Sequence, residues 1–132
     1  MLLELEQVNR PEMMRSFLFS LRALLEGKRQ ESLNATERCI AHFRDPEVLF
    51  YMARQLACLG ESKRALTELH HVLDQGYLCS RVLARDPWLD ALRASEEFGV
   101  ILQRAVSLER EAIGAFVQSG GDRLLGVSAE RQ

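Results

Sequence analysis

DPEVLFYMARQLACLGESKRALTELHHVLDQGY, residues Asp45 to Tyr77, reads as two helices joined by a turn. Asp45 can cap a helix, Pro46 fits its first position and Glu47 suits its first turn. Leu49, Met52, Ala53 and Leu56 then recur three or four apart, which places them on one helical face. Gly60 stops that helix. Ser62 is expected to cap a second one, whose apolar line is Ala65, Leu66, Leu69, Val72 and Leu73. Two helices in that order around a short glycine turn are expected to fold back on one another.

Upstream, residues 1–10 lack strong periodicity and read as a lead. Pro11 opens a helix expected to run to about Glu26, with a wide stripe of Met13, Met14, Phe17, Leu18, Leu21, Leu24 and Leu25. A stripe that wide calls for cover on more than one side. Gly27 ends it. The next helix runs from about Arg29 to Phe43, with Leu33, Thr36, Cys39, Ile40 and Phe43 inward. Sliding the chain by 33 residues sets Gly27 on Gly60, Phe17 on Phe50, Ser20 on Ala53, Ser32 on Ala65, Leu33 on Leu66 and Ile40 on Leu73. Small meets small and large apolar meets large apolar, the signature of stacked helical units.

Downstream the rhythm changes. Residues 78–94 read as an irregular segment of one or two helical turns followed by a second Asp-Pro start, Asp86-Pro87, with Trp88, Leu89 and Leu92 as an apolar patch. Ser95 is expected to cap a long closing helix over 95–119. Its inward line is Phe98, Ile101, Leu102, Ala105, Leu108, Ala112 and Phe116. Residues 120–132 read as a flexible tail. No segment alternates apolar and polar residues over a strand length. The expected fold is all-α: one helical domain over 11–119, with units at about 12–44 and 45–77.

A chain of 132 residues with 47% hydrophobic and 27% charged residues can bury a core. Its net charge of −2, with both signs interspersed, argues against a sequence-independent grip on nucleic acid. No apolar run approaches the ~20 residues of a membrane span. The N-terminus has no basic stretch leading into an apolar one, so no signal peptide is expected. Cys39, Cys58 and Cys79 are odd in number and widely spaced. They read as buried thiols of a reducing, cytoplasmic compartment.

The central stretch resembles the tetratricopeptide repeat. Leu49 stands in that family's Trp slot, Met52-Ala53 in its Leu-Gly slot and Leu56 in its Tyr slot. Ala65 and Leu69 match the second-helix Ala and Phe. Tyr77 replaces the closing Pro, and Ser16, Phe19, Ser20, Ala23, Ser32 and Thr36 make residues 12–44 a degenerate copy. The segment LARDPWLDALRASEEFGVILQRA is similar to the stretch closing tetratricopeptide regions in bacterial multidomain regulators, through Asp86-Pro87, Leu92-Arg93 and Phe98. The resemblance implies a helical superhelix with a concave groove that binds a peptide or partner domain, and a chain that can be the C-terminal piece of a larger regulator. It implies a groove lined by the first helix of each unit: Met14, Phe17, Leu21 and Leu24, then Glu47, Phe50, Arg54 and Ala57. Phe17 and Phe50 would be aromatic anchors, or else core residues covered by the long final helix or the tail, and Arg54 a donor to a ligand carboxylate. That set contains neither Lys nor Asn, so the clamp by which some family members hold a peptide's terminal carboxylate is not expected.

Residues suited to catalysis or metal binding do not assemble into a motif. His70 and His71 are adjacent, and neighbours on a helix point ~100° apart, so one ion cannot easily take both. There is no CxxC or HExxH spacing, and no Gly-rich loop between strand and helix. Gly120-Gly121 follows a helix, where glycine serves as a terminator. The expectation is a non-catalytic protein-interaction scaffold without a cofactor or metal, with a protein or peptide partner, neither nucleic acid nor membrane as partner, and a homodimer as a variant. The alternatives are a small ligand-binding or enzymatic groove, and nucleic-acid binding by stacked hairpins.

Overall fold

The computed structural model describes residues 12–77 and 79–126. It is all-helical, with no strand among the described residues. The elements are α1 (Glu12–Leu25), α2 (Arg29–His42), α3 (Pro46–Cys58), α4 (Ser62–Asp74), α5 (Ser80–Arg85), a 3-10 segment (Pro87–Leu92), α6 (Glu96–Gln118) and α7 (Gly121–Leu125). Helix α1 packs on α2 and α3 on α4; α2 meets α3, the 3-10 segment lies on α3, and α6 lies on α4 and α5. None of these helices is long and apolar enough to cross a membrane.

The 33-residue recurrence is visible in the backbone. After α1, Gly27 N–H donates to Leu24 and Lys28 N–H to Ala23; after α3, Gly60 donates to Ala57 and Glu61 to Leu56. Gly27 and Gly60 hold φ of +76° and +82°, a left-handed conformation that only glycine adopts without penalty. The fully buried positions recur at the same offset: Ser20 with Ala53, Ala23 with Leu56, Ser32 with Ala65, Thr36 with Leu69, and Cys39 with Val72. Small side chains at the first and third of these pairs let the helices of each pair approach. Ser32 Oγ, for example, donates to the Ser20 carbonyl at 2.8 Å.

Helix starts follow local chemistry only in part. Asp45 caps α3 as expected, accepting from Glu47 N–H at 2.8 Å, and Asp86 caps the 3-10 segment through Trp88 N–H at 2.9 Å. Ser62 is not a cap: α4 starts one residue earlier, Glu61 occupies the capping position, and its side chain makes no capping bond. Glu61 instead pairs with Arg29, which also donates to the Leu59 carbonyl at the end of α3. Ser95 precedes α6 as expected but makes no side-chain capping bond.

The core gathers Phe50, Leu56, Leu69, Leu73, Leu83, Leu89, Leu92, Phe98 and Ile101 around α3 and α4. Its two ends are less covered. On α1 only Ser20 and Ala23 are buried, while Met14 and Leu25 are 39% and 64% exposed. On α6 the inward line ends early. Phe98, Ile101 and Ala105 are buried and Leu102 and Leu108 partly so, but Ala112 and Phe116 are exposed, and among the described residues α7 is what packs back toward the end of that helix. Residues 121–125 of the expected tail form α7, with Gly121 beneath the Phe116 ring, so close that a Cβ there would lie 2.3 Å from it. Expectations for residues 1–11, Leu78 and residues 127–132 lie outside the described residues.

Candidate functional site

An open groove of about 530 Å³ lies between α3 and α5. Phe50, Tyr51 and Arg54 of α3 form one wall, Arg81, Val82 and Arg85 of α5 the other, with Tyr77 and the Asp86-Pro87 turn completing it. The α3 residues are spaced to reach one side of the helix away from α4. Ala53, Leu56 and Ala57 turn inward, which leaves positions 51 and 54 facing out.

Aromatic rings run along this face. Phe17 of α1 meets Tyr51 edge-on at 6.4 Å, Tyr51 meets Phe50 at 6.2 Å, and Phe50 meets Tyr77 at 5.5 Å. These are the separations aromatic pairs prefer. Tyr51 OH donates to Glu47 Oε1 at 2.7 Å, and that hydrogen bond, with partial burial, holds the phenol above its ordinary pKa. Burial does the same for Tyr77.

Arg54 sits at the centre. Its guanidinium lies 4.7 Å from the Trp88 ring and 5.7 Å from the Tyr51 ring, a cation between two π faces. Nε is 2.7 Å from Asp86 Oδ2, yet its N–H is not aimed at that oxygen, so a buried donor has a counter-ion without a hydrogen bond. Asp86 spends its other oxygen on the Trp88 N–H. Arg81 and Arg85 make no ion pair or hydrogen bond among the described residues.

Helix α5 is six residues long, too short to persist alone. Side chains from later in the chain hold both ends. Glu109 of α6 accepts from Ser80 N–H at 2.8 Å and from Ser80 Oγ at 2.5 Å. At the other end Arg93 donates to the Leu83 and Asp86 carbonyls at 3.1 and 2.7 Å and to Asp90 at 2.8 Å, stacked over Phe98. The groove's second wall is therefore set by residues 93 and 109.

The expected groove residues divide. Arg54 and Phe50 line the groove, though Phe50 is 1% exposed and is part of the core as much as of the site. Ala57 is also 1% exposed, belongs to the core cluster and offers no surface to a ligand. Glu47 is exposed and reaches the groove through Tyr51. Phe17 is half-buried and touches Tyr51; Leu21 and Leu24 are half-buried on α1, outside the groove, and Met14 is exposed there. Arg54 is not the unpaired donor expected: Asp86 is already its counter-ion at Nε, while neither terminal nitrogen makes a hydrogen bond among the described residues. Tyr51, Tyr77, Arg81, Val82, Arg85 and Asp86 were not expected. Their only signal was the Asp86-Pro87 start, because the residues that fix α5 lie far along the chain.

Among the described residues no three His, Cys, Asp or Glu side chains converge as a metal site would require. His70 receives Arg104 at its ring and carbonyl, and His71 lies 3.6 Å from Glu68. Cys39 and Cys79 are buried, with burial pushing their thiols up to about 11 and about 12. Cys58 differs from the expectation: the residue is exposed, its Sγ 3.6 Å from the Trp88 carbonyl. Its pKa is also raised, by partial burial, so it lacks the thiolate character of a nucleophile.

Comparison of the chain with protein-family models, with curated proteins and with solved structures finds no match.

Proposed function

We propose that this chain is a non-catalytic protein-interaction module, built of tetratricopeptide-like hairpins, that takes a peptide or partner domain in the groove between α3 and α5. The observation that carries the reading is the state of α5. Two capping side chains hold this short helix, and it presents an exposed Val82 (43%) between two arginines that have no ion pair or hydrogen bond among the described residues. A helix tethered at both ends, with its free face turned to an aromatic-lined groove, is arranged to be contacted. The recurrence of buried positions and glycine turns at 33 residues supports the repeat reading, and buried thiols suit a reducing cytoplasmic setting.

The test is a capture experiment from native-source extract with the wild type beside a Val82→Glu variant whose helicity and melting are unchanged. A protein retained by the wild type and lost by the variant supports the groove. One retained equally by both moves the interface elsewhere. Phe50 is unsuitable for this purpose, since truncating a buried Phe costs about 3–5 kcal/mol and would unsettle the fold.

A second reading rests on α1, whose Met14, Leu18, Leu21 and Leu25 follow one face at heptad spacing while remaining exposed or half-buried. Such a stripe suits self-association that completes the helical array. Light scattering should then show mass rising with concentration, and Leu25→Glu should abolish the rise.

A further inference from the structure

We propose that the occupant of the groove is an acidic linear peptide, with carboxylates on either side of a large apolar side chain. This inference rests on the groove being the binding surface. Its first support is the charge of the walls. Arg54, Arg81 and Arg85 face a single lining carboxylate, Asp86, which is committed to capping Trp88 N–H and to neutralising Arg54. Four arginines elsewhere have acids of the fold's own: Arg29 with Glu61, Arg64 with Glu37, Arg93 with Asp90 and Arg104 with Asp74. Others on the surface, such as Arg38 and Arg110, have none among the described residues. What sets Arg81 and Arg85 apart is that they line the groove together with Arg54.

The helix that carries these two arginines accounts for Arg85, which stands in its last turn, but not for Arg81. They stand four apart on α5, where like charges oppose each other. Arg81 lies in the first turn, where the helix dipole disfavours a cation. An anion across both would remove the repulsion. Arg54 adds a third set of donors: among the described residues neither of its terminal nitrogens makes a hydrogen bond, and its Nε–H lies beside a carboxylate without pointing at it. A guanidinium held by stacking rather than by directed hydrogen bonds can turn to meet a carboxylate bidentately.

The floor between these charges is apolar and aromatic. Phe50 and Tyr77 meet at 5.5 Å with their rings tilted by 44°, and line the groove with the exposed Val82. An aliphatic or aromatic side chain set there places backbone-flanking carboxylates toward the arginines on both walls. A phosphate backbone fits less well, since a chain of net charge −2 has no continuous basic track beyond these three residues.

Selection of a random peptide library displayed on messenger RNA against the full chain tests this. The expected pool is enriched in Asp and Glu flanking a large apolar residue. Binding of its members should fall about tenfold or more in an Arg81→Glu/Arg85→Glu double variant, and also on raising salt. Both positions are exposed and uninvolved in the caps of α5, and Arg81→Gln/Arg85→Gln serves as a second variant without charge reversal. A pool with no acidic excess, still lost on Val82→Glu, overturns the acidic assignment and leaves the groove standing. A pool indifferent to all these variants, or no enrichment, overturns both. A labelled single-stranded oligonucleotide bound more tightly than the peptides, and released by the same double variant, would reassign the arginines to phosphate and overturn the peptide proposal.

Discussion

Asp45 and Asp86 begin helices in the same way, yet they are not equivalent. Each accepts the N–H two residues on, but Asp45 is exposed and unpaired, whereas the Asp86 side chain is 8% exposed and neutralises Arg54. Loss of a cap costs about 1 kcal/mol. Asp45→Ala should therefore lower stability by about that amount, and Asp86→Ala by about 2–3 kcal/mol, because a stacked guanidinium loses its counter-ion. Urea midpoints for the two variants check the difference, and equal losses would deny Asp86 its second role. The caps were readable in the sequence because Asp-Pro is a local signal. The inward turn of Ala57 was not, since helical spacing gives a face but not which neighbour covers it. The pairing of Arg54 with Asp86 joins residues 32 apart, a contact no short pattern announces.

For single elements, α5 and α6 behave differently from their sequence patterns. The first four helices were legible because their glycine turns and small residues act within a few positions. Helix α5 was read only as a turn or two, since what makes it a wall is Arg93 and Glu109. Arg93→Ala should cost about 2 kcal/mol by releasing two helix-end carbonyls, and Arg93→Lys should recover little, because an ammonium lacks the planar fork that reaches both oxygens. The same variants should weaken groove binding without altering any groove residue. Helix α6 was read as apolar along its whole length, and it is, but a pattern does not say where the partner stops. Hydrogen exchange should be slow from Phe98 to Leu108 and fast from Ala112 to Gln118, where no residue is buried. Uniform protection through Gln118 would mean the second half has a partner in solution.

The whole molecule should respond to alkaline pH through its thiols. Burial raises Cys39 to about 11 and Cys79 to about 12, against an ordinary value of 9.0. The unfolded chain therefore gives up these protons first. Stability drawn from keeping both thiols neutral is complete below the ordinary value and is lost as pH rises toward the folded values. A urea midpoint flat through neutrality and falling above the ordinary thiol value is expected, with a shallower fall in Cys39→Ala. The carboxylate of Asp74, lowered mainly by its hydrogen bond from Arg104, acts in the opposite sense: its contribution is lost only as pH falls through its depressed value.

Glu109 stands on α6 at the point where that helix leaves the core, and its carboxylate closes the first turn of α5. The wall of the groove and the free end of the longest helix are thus one mechanical linkage. Any coupling through that contact is reciprocal: what stiffening α5 does to the helix end, stiffening the helix end does to the groove by the same free energy. A ligand that stiffens α5 should then slow hydrogen exchange from Arg110 to Gln118, and unchanged exchange there on binding would show that Glu109 fixes the wall without carrying the signal.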